Sequence, residues 1–193
     1  MDKFSNLSIL IPNHNEKKIQ EVKFWCERFF PKAEIIIEQD KEGKGKGITL
    51  YRALAKSTKD NVVFLDGDMD IFPLKIMKLL PHLEHSDIVI GTKDCKQRKK
   101  LSSFAKILIK LLFNMPLTDT QTGIKVFKRH ALPEWETDGY LFDVEILYKA
   151  HKNGFKITEV PLKNIVVSKK KSLLTLARCA CELIYLRFRL LFR

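Results

Sequence analysis

The run Asn61-Val62-Val63-Phe64-Leu65, followed at once by Asp66-Gly67-Asp68-Met69-Asp70, decides the fold. Four apolar residues in a row, Val62 to Leu65, read as a buried strand, and the acidic, glycine-containing stretch ends it. Upstream, Leu7-Ser8-Ile9-Leu10-Ile11 reads as a first strand closed by Pro12-Asn13-His14-Asn15. Asn15 is placed to cap a helix running to about Phe30, and Pro31 stops it. Glu34-Ile35-Ile36-Ile37-Glu38 makes a second strand. Gly43-Lys44-Gly45-Lys46-Gly47 then opens a helix from about Ile48 to Lys56. Pro73 begins a further helix, and Asp87 to Gly91 is a fourth strand. Strands alternating with helices predict a three-layer α/β/α domain on a mostly parallel sheet, with ligands at the carboxyl ends of the strands.

The rest of the chain continues the pattern less regularly. A basic helix from about Leu101 to Phe113 precedes Asp119-Thr120-Gln121-Thr122-Gly123 and a strand Ile124 to Phe127. Leu141 to Asn153 reads as a helix closed by Gly154, Ile157 to Leu162 as a last strand, and Ser172 to Arg193 as a helix. At 100° per residue, Lys171, Arg178, Glu182, Arg189 and Arg193 fall on one face of that helix, with Arg187 opposite. The expected organisation is one α/β domain over residues 1–165 and a basic amphipathic helix over 166–193.

Three carboxylates crowded after a strand are costly unless a cation or strong donors neutralise them. If the segment stays extended, Asp66, Asp68 and Asp70 project to one side and form an all-oxygen site for Mg²⁺ or Mn²⁺. A solvated acidic turn is the plainer reading of the same residues. A calcium-binding EF-hand loop is excluded, because positions six and twelve from Asp66 are Ile71 and Met77 rather than Gly and Glu. An aspartyl phosphatase also places Asp-x-Asp after a strand, but nearer the N-terminus and followed by Thr or Val where this chain has Asp70. The 43–47 turn is neither a Walker loop nor Gly-x-Gly-x-x-Gly. It is either an anion-binding helix N-terminus or an ordinary tight turn.

The 193 residues carry a formal charge of +12 and are 45% hydrophobic, which suits one folded domain rather than a disordered tail. The surplus is local: residues 93–113 sum to +6, residues 161–193 to +7, and the remainder to −1. Both basic segments are also rich in Leu, Ile and Phe, a pairing that suits an anionic membrane surface. Nucleic acid is disfavoured, since no helix-turn-helix, zinc-finger or RNA-recognition signature accompanies the charge. No apolar run reaches the roughly 18–20 residues a spanning helix needs. The N-terminus has no signal-peptide pattern, and Cys26, Cys95, Cys179 and Cys181 show no zinc or disulfide spacing, so a cytoplasmic protein with reduced thiols is expected.

Several of these segments together resemble a known family. Ile9-Leu10-Ile11-Pro12-Asn13-His14-Asn15-Glu16 resembles the first-strand motif of family 2 glycosyltransferases of GT-A fold, Gly45-Lys46-Gly47 their GKG turn, and Asp66-Gly67-Asp68 their DxD. Asp119 to Phe127 resembles the DTQxGxKxF stretch of dolichyl-phosphate sugar synthases, and Phe142-Asp143-Val144-Glu145-Ile146-Leu147 the helix that follows it. The likeness spans residues 7 to about 163 in order. It departs where Glu38-Gln39-Asp40 reaches Gly43 almost directly, without the extra helix usual there, and in lacking a transmembrane hairpin.

The resemblance implies an inverting, metal-dependent transfer of a hexose from a nucleotide diphosphate sugar, GDP-mannose or UDP-glucose, to a polyprenyl (dolichyl) phosphate. It implies that Pro12, Asn13 and Glu16 line the nucleoside, that Asp40 or Glu38 approaches the ribose, and that Lys46 and Asp66 serve the diphosphate, with Asp68 beside them. Asp119 would act as base for a hydroxyl acceptor, or would orient Lys125 or the sugar. Gln121 and Thr122 would bond the hexose. Asp143 and Glu145 are expected to be structural, and Trp135 to be core. Lys93, Lys99 and Ser103 match basic and serine positions at the acceptor phosphate, and Lys169, in the Lys169-Lys170-Lys171 run, would add a cation there. A peripheral enzyme on the cytosolic face of a membrane follows, with homodimerisation through the C-terminal helix as the competing use. A soluble acceptor, or a non-catalytic basic binding protein, are the rival functions.

Overall fold

A computed structural model describes residues 4–93, 100–163 and 173–191, with side chains 93, 100–106 and 173–179 outside the description. Six strands form one sheet: β1 (Leu7–Asn13), β2 (Glu34–Gln39), β3 (Asn61–Leu65), β4 (Ile88–Lys93), β5 (Ile124–Lys128) and β6 (Ile157–Leu162). Their spatial order is β2-β1-β3-β5-β4-β6. Only β5 runs against its neighbours, being antiparallel to both β3 and β4. The expected mostly parallel sheet is therefore observed.

Strand alternation divides the core in two. Leu10, Phe64, Ile88, Ile90 and Phe127 face a layer of α2 (Lys46–Lys56), α4 (Lys100–Phe113), α5 (Phe142–Lys152) and α6 (Leu173–Leu191). Ile9, Ile11, Val63, Leu65, Val89 and Val126 face α1 (Ile19–Phe29) and the short α3 (Ile76–Leu79), which is flanked by 3-10 turns. Layers on both sides explain why these strands read as near-continuous apolar runs. The direction of the strands also fixes the site. The carboxyl ends of β1, β2, β3, β4 and β6 and the amino end of β5 share one edge.

Two local expectations are corrected. Asn15 does not cap α1: the helix starts at Ile19, and Asn15 itself sits at φ 59°. Asn13 supplies the local acceptor instead, its Oδ1 receiving the Glu16 N–H at 3.0 Å. The face expected to group Glu182 with Arg189 is not uniform in α6: Glu182 is exposed, whereas Arg189 turns toward Glu145. Leu183 and Leu186 enter the core, and both arginines near them turn inward. Arg187 donates to the Tyr148 hydroxyl and lies over its ring. The side chains exposed on this turn of the helix are the apolar Ile184, Tyr185 and Phe188. A charge that finds a buried acceptor faces the protein whatever the helical wheel predicts. Among the described residues, no helix is long and apolar enough to cross a membrane.

Candidate active site

β3 ends at Leu65, whose pairing with Ile124 brings Asp66 beside Gly123, and the Asp66 N–H donates to Gly123 O at 2.9 Å. A Cβ on Gly123 would sit 2.1 Å from Asp66 Oδ2, so glycine there is what leaves the carboxylate its space. On the other side Gly67 packs under Pro12 O and the Ile19 side chain, with Glu16 alongside. Pro12 and Glu16 are thus held against the acidic turn from β1.

The acidic stretch is a turn rather than an extension of the strand. Met69 takes φ 62°, and the Asp70 N–H donates to Asp68 Oδ1 at 3.0 Å. Burial, together with the charges of Asp66 and Asp70, raises the Asp68 pKa above the ordinary carboxylate range, despite the bond from Asp70 N–H and the Lys46 charge. Among the described residues no three His, Cys, Asp or Glu side chains form a metal-holding group. The expected triad of Asp66, Asp68 and Asp70 is therefore not assembled. The turn breaks the alternation on which it rested, and a lysine takes up Asp66.

That lysine is Lys46. Its Nζ lies 2.6 Å from Asp66 Oδ1 and 3.8 Å from Asp143 Oδ2, above the Phe142 ring. Burial works against the ammonium, but Asp66 and Asp143 outweigh it, so its pKa is raised. Lys46 reaches this position because Gly45, at φ 108°, turns the chain into α2 in a conformation only glycine adopts readily. The same turn is clamped from behind. Gly47 N–H donates to Asp138 O at 2.6 Å, Trp135 Nε1 donates to Gly47 O at 3.1 Å, and a Cβ on Gly47 would fall 2.0 Å from Thr137 O.

Lys125 is buried from solvent. Its Nζ is 2.7 Å from Asp143 Oδ1 and donates to Thr122 O at 2.7 Å. Burial outweighs Asp143, so its pKa falls below that of an ordinary lysine. Lys125 therefore fixes Asp143 and the 122 carbonyl. Asp119 is buried at the head of the same loop, which Glu159 of β6 anchors by accepting the Thr118 and Asp119 N–H groups. Gln121 is partly exposed, whereas Thr122 is fully buried and its hydroxyl has no hydrogen-bond partner among the described residues.

Asp40 is corrected as well. Its carboxylate accepts the N–H groups of Lys44 (3.0 Å) and Gly45 (2.9 Å) and contacts His14 at 3.1 Å. Burial would raise its pKa, but these bonds outweigh it and the net shift is downward. Asp40 thus builds the glycine turn, since donors withdrawn from water need an acceptor, and it is not open to a ribose. Glu38 pairs with Lys56. Asn13 and Gln39, register partners, are joined by a 2.6 Å side-chain bond at the mouth of the β1–β2 edge.

Of the acceptor-side residues, Lys99 and Lys169 lie outside the described residues, as do the side chains of Lys93 and Ser103. The Lys93 backbone ends β4 at the edge that carries Asp66. Asp143 and Glu145 are both buried and paired with bases, as expected: Glu145 meets Lys149 and Arg189. Trp135 is core. The Glu159 anchor, the clearance at Gly123 and the 135–138 clamp were not anticipated. Gly123 alone had a local signal, as a glycine one residue before a strand.

No family model matches the chain. An uncharacterised protein of Methanocaldococcus jannaschii is 32% identical over 69% of this chain and 66% of its own length. An undecaprenyl-phosphate mannosyltransferase of Micrococcus luteus is 24% identical over 68% of this chain and 60% of its own. The glycosyltransferase AglD of Haloferax volcanii is 26% identical over 61% of this chain and 21% of its own. The chain thus spans less than two thirds of the length of these curated relatives. Among solved structures, glucosyl-3-phosphoglycerate synthase from Mycobacterium tuberculosis, in complex with Mn²⁺, UDP and glucosyl-3-phosphoglycerate, superposes with a TM-score of 0.77 at 19% identity, covering 94% of this chain and 78% of that one. The same synthase with Mg²⁺ and UDP gives 0.76 at 18% identity, covering 94% and 77%. The chain thus has the fold of GT-A glycosyltransferase structures and is similar in sequence to two glycosyltransferases.

Proposed function

We propose that the protein transfers a hexose, with inversion, from a nucleotide diphosphate sugar to a polyprenyl phosphate. The observation that carries this reading is the Lys46–Asp66 pair, set beside Asp68 at the shared carboxyl edge of β1 and β3. It offers a cation and clustered carboxylate oxygens side by side, which is what a diphosphate leaving group requires. The donor set is all-oxygen and Asp68 is crowded by two neighbouring carboxylates, so Asp66 and Asp68 fit a hard divalent ion. Bound there, Mg²⁺ or Mn²⁺ would supply Lewis-acid stabilisation of the departing diphosphate. Lys46 is already oriented to share that task. Pro12, Asn13 and Glu16 would border the nucleoside, and Gln121 the hexose.

In the reaction an acceptor phosphate oxygen forms a bond to the anomeric carbon. The bond from that carbon to the diphosphate oxygen breaks, and its electron pair leaves with the nucleoside diphosphate. A phosphate monoester has a second pKa near 6, so the acceptor is already an anion at neutral pH and needs cations more than a base. Lys93, Lys99, Lys169 and the Ser103 hydroxyl are the proposed partners of that phosphate. Asp119 then has no proton to take and would orient the sugar.

The lipid acceptor is supported by the Micrococcus relative and by one face of the molecule. α4 packs along α6, and Ile107, Leu111, Ile184, Tyr185, Phe188 and Leu191 are exposed on the two helices within the basic segments. This face would rest on the cytosolic leaflet of an anionic membrane, or meet a second copy of the chain. A soluble acceptor is the second reading, favoured by the fold neighbour solved with phosphoglyceric acid.

The test is a panel of GDP-mannose, UDP-glucose and other sugar nucleotides against a short polyprenyl phosphate and 3-phosphoglycerate, with Mg²⁺ or Mn²⁺ and product read by mass. Glycosylated lipid phosphate is the expected product. Transfer to 3-phosphoglycerate alone would establish the second reading. No transfer by folded protein with any donor would reject both.

A further inference from the structure

We infer that Arg189, on the C-terminal helix, is a positioning residue for the acidic site, acting through Glu145 and the 135–138 loop on the start of α2. Arg189 Nη2 donates to Glu145 Oε2 and to Thr137 Oγ1, each at 2.8 Å. Glu145 is buried in α5, and its other partners are Lys149, the Glu136 and Thr137 N–H groups and the Thr137 hydroxyl. One carboxylate therefore gathers the helix α6, its own helix and two consecutive amides of the loop.

The loop so held is the one that clamps the glycine turn. Asp138 O accepts from Gly47 N–H and also from Ile48 N–H at 3.4 Å, and Trp135 reaches Gly47 O. Between the two clamped glycines stands Lys46, whose ammonium meets Asp66. The connection from Arg189 to Asp66 is continuous: guanidinium, Glu145 and Thr137, loop carbonyl, Gly47 amide, Lys46, Asp66. Each link is a hydrogen bond, an ion pair or adjacent backbone. Gly45 and Gly47 lie within van der Waals contact of the loop backbone, so the turn cannot keep its place if the loop withdraws. α6 is thus a structural part of the site as well as an outer helix. Its bearing on catalysis rests on the sugar-transfer reading above; the coupling itself does not.

Amide exchange of the full chain tests this, followed over residues 44–50 in the wild type and in Arg189→Met, Arg189→Lys and Thr137→Val. Loss of a charge-assisted bond that holds a loop should speed exchange at the Gly47 and Ile48 amides about tenfold under conditions where global unfolding is negligible. Arg189→Lys should recover part of the protection. Thr137→Val, which leaves the Arg189–Glu145 pair in place, should reproduce the effect more weakly and decides the matter if Arg189→Met does not fold. Faster exchange confined to α6, with residues 44–50 unchanged, would overturn the inference. In the transfer assay the donor KM should rise several-fold in Arg189→Met, with the acceptor KM unchanged; equal changes in both would count against positioning. Altered exchange in a protein that transfers no sugar would reject the proposed reaction and leave the coupling standing.

Discussion

The Lys46 ammonium lies 2.6 Å from Asp66 Oδ1, although the two residues belong to different layers of the fold, one opening α2 and the other directly following β3. Lys46 partly neutralises a cluster that also contains Asp68 and Asp143. Its removal should therefore act in opposite directions on two measurements. Lys46→Met should tighten Mn²⁺ binding to the nucleotide-free protein by several-fold, measured calorimetrically, because a competing cation is gone. It should also lower kcat for sugar transfer by about 10²-fold, the scale of losing one charge-stabilising donor. Weaker Mn²⁺ binding would show that Lys46 orients Asp66 more than it competes for it.

Gly47 and Gly123 both stand where a methyl group does not fit, but against different neighbours. A Cβ at 47 meets backbone, Thr137 O at 2.0 Å, whereas at 123 it meets the Asp66 carboxylate at 2.1 Å. Backbone cannot rotate away and a side chain can. Gly47→Ala should cost about 2–4 kcal/mol in urea unfolding, as overpacking against fixed atoms does. Gly123→Ala should cost clearly less and yet abolish most Mn²⁺ binding, because Asp66 must swing out of place. Similar stability losses for the two would contradict this distinction.

Lys125 and Asp143 form a buried ion pair at 2.7 Å, close to Lys46. Among the described residues, Lys125→Met leaves Asp143 with the more distant Lys46 as its cation, and it should destabilise by about 3 kcal/mol, near the lower end for an orphaned buried charge. Removing both charges together, in Lys125→Met/Asp143→Leu, should cost less than the sum of the single changes. Denaturant midpoints of the three variants give the coupling directly; additive costs would mean the pair does not act as one.

What the sequence made legible were features with a local cause. The apolar run before Asp66 marked β3, and Ile157 to Leu162 were bounded by chemistry within a few residues. The site edge followed from the alternation of strands with helices and from the carboxylates just after β3. The misplaced features have causes that residue type and periodicity do not carry. Arg189 turns inward because Glu145 lies buried 44 positions earlier, and helical periodicity carries no trace of that. Asp40 looked free for a ligand because the turn donors that consume it are backbone N–H groups, which every residue other than proline has. The three-carboxylate site rested on extended geometry that Met69, at positive φ, interrupts.

The Asp40 carboxylate links the glycine turn to acid stability. Its folded pKa is depressed: burial opposes ionisation, and the Gly45 and Lys44 N–H groups and His14 overcome it. A depressed carboxylate contributes stability above its unfolded pKa and loses it as pH falls through the folded value. The contribution should therefore be complete above the ordinary aspartate value of 3.8 and disappear on further acidification. Asp40→Asn should lower stability at pH 7 by about 1–2 kcal/mol, through weaker bonds to the two amides, and the gap to wild type should narrow below that value. Thermal unfolding of both proteins between pH 7 and pH 3 measures it; a constant gap would remove Asp40 from the acid response.

The two sides of α6 should separate membrane contact from folding. Leu183 is buried in the core shared with α5, while Tyr185 and Phe188 are 68% and 57% exposed. Leu183→Ala should cost about 2–4 kcal/mol, the usual range for a buried leucine. Tyr185→Ser/Phe188→Ser should leave the unfolding midpoint nearly unchanged, since little area buried on folding is lost. If this face rests on lipid, the double variant should weaken binding to vesicles of phosphatidylcholine and phosphatidylserine by about tenfold or more, because each large apolar side chain withdrawn from water contributes on the order of 1.5 kcal/mol. Sedimentation with vesicles, beside sedimentation velocity without them, distinguishes the outcomes. Unchanged vesicle binding, with a wild-type dimer that the variant converts to monomer, would assign the face to a second copy of the chain.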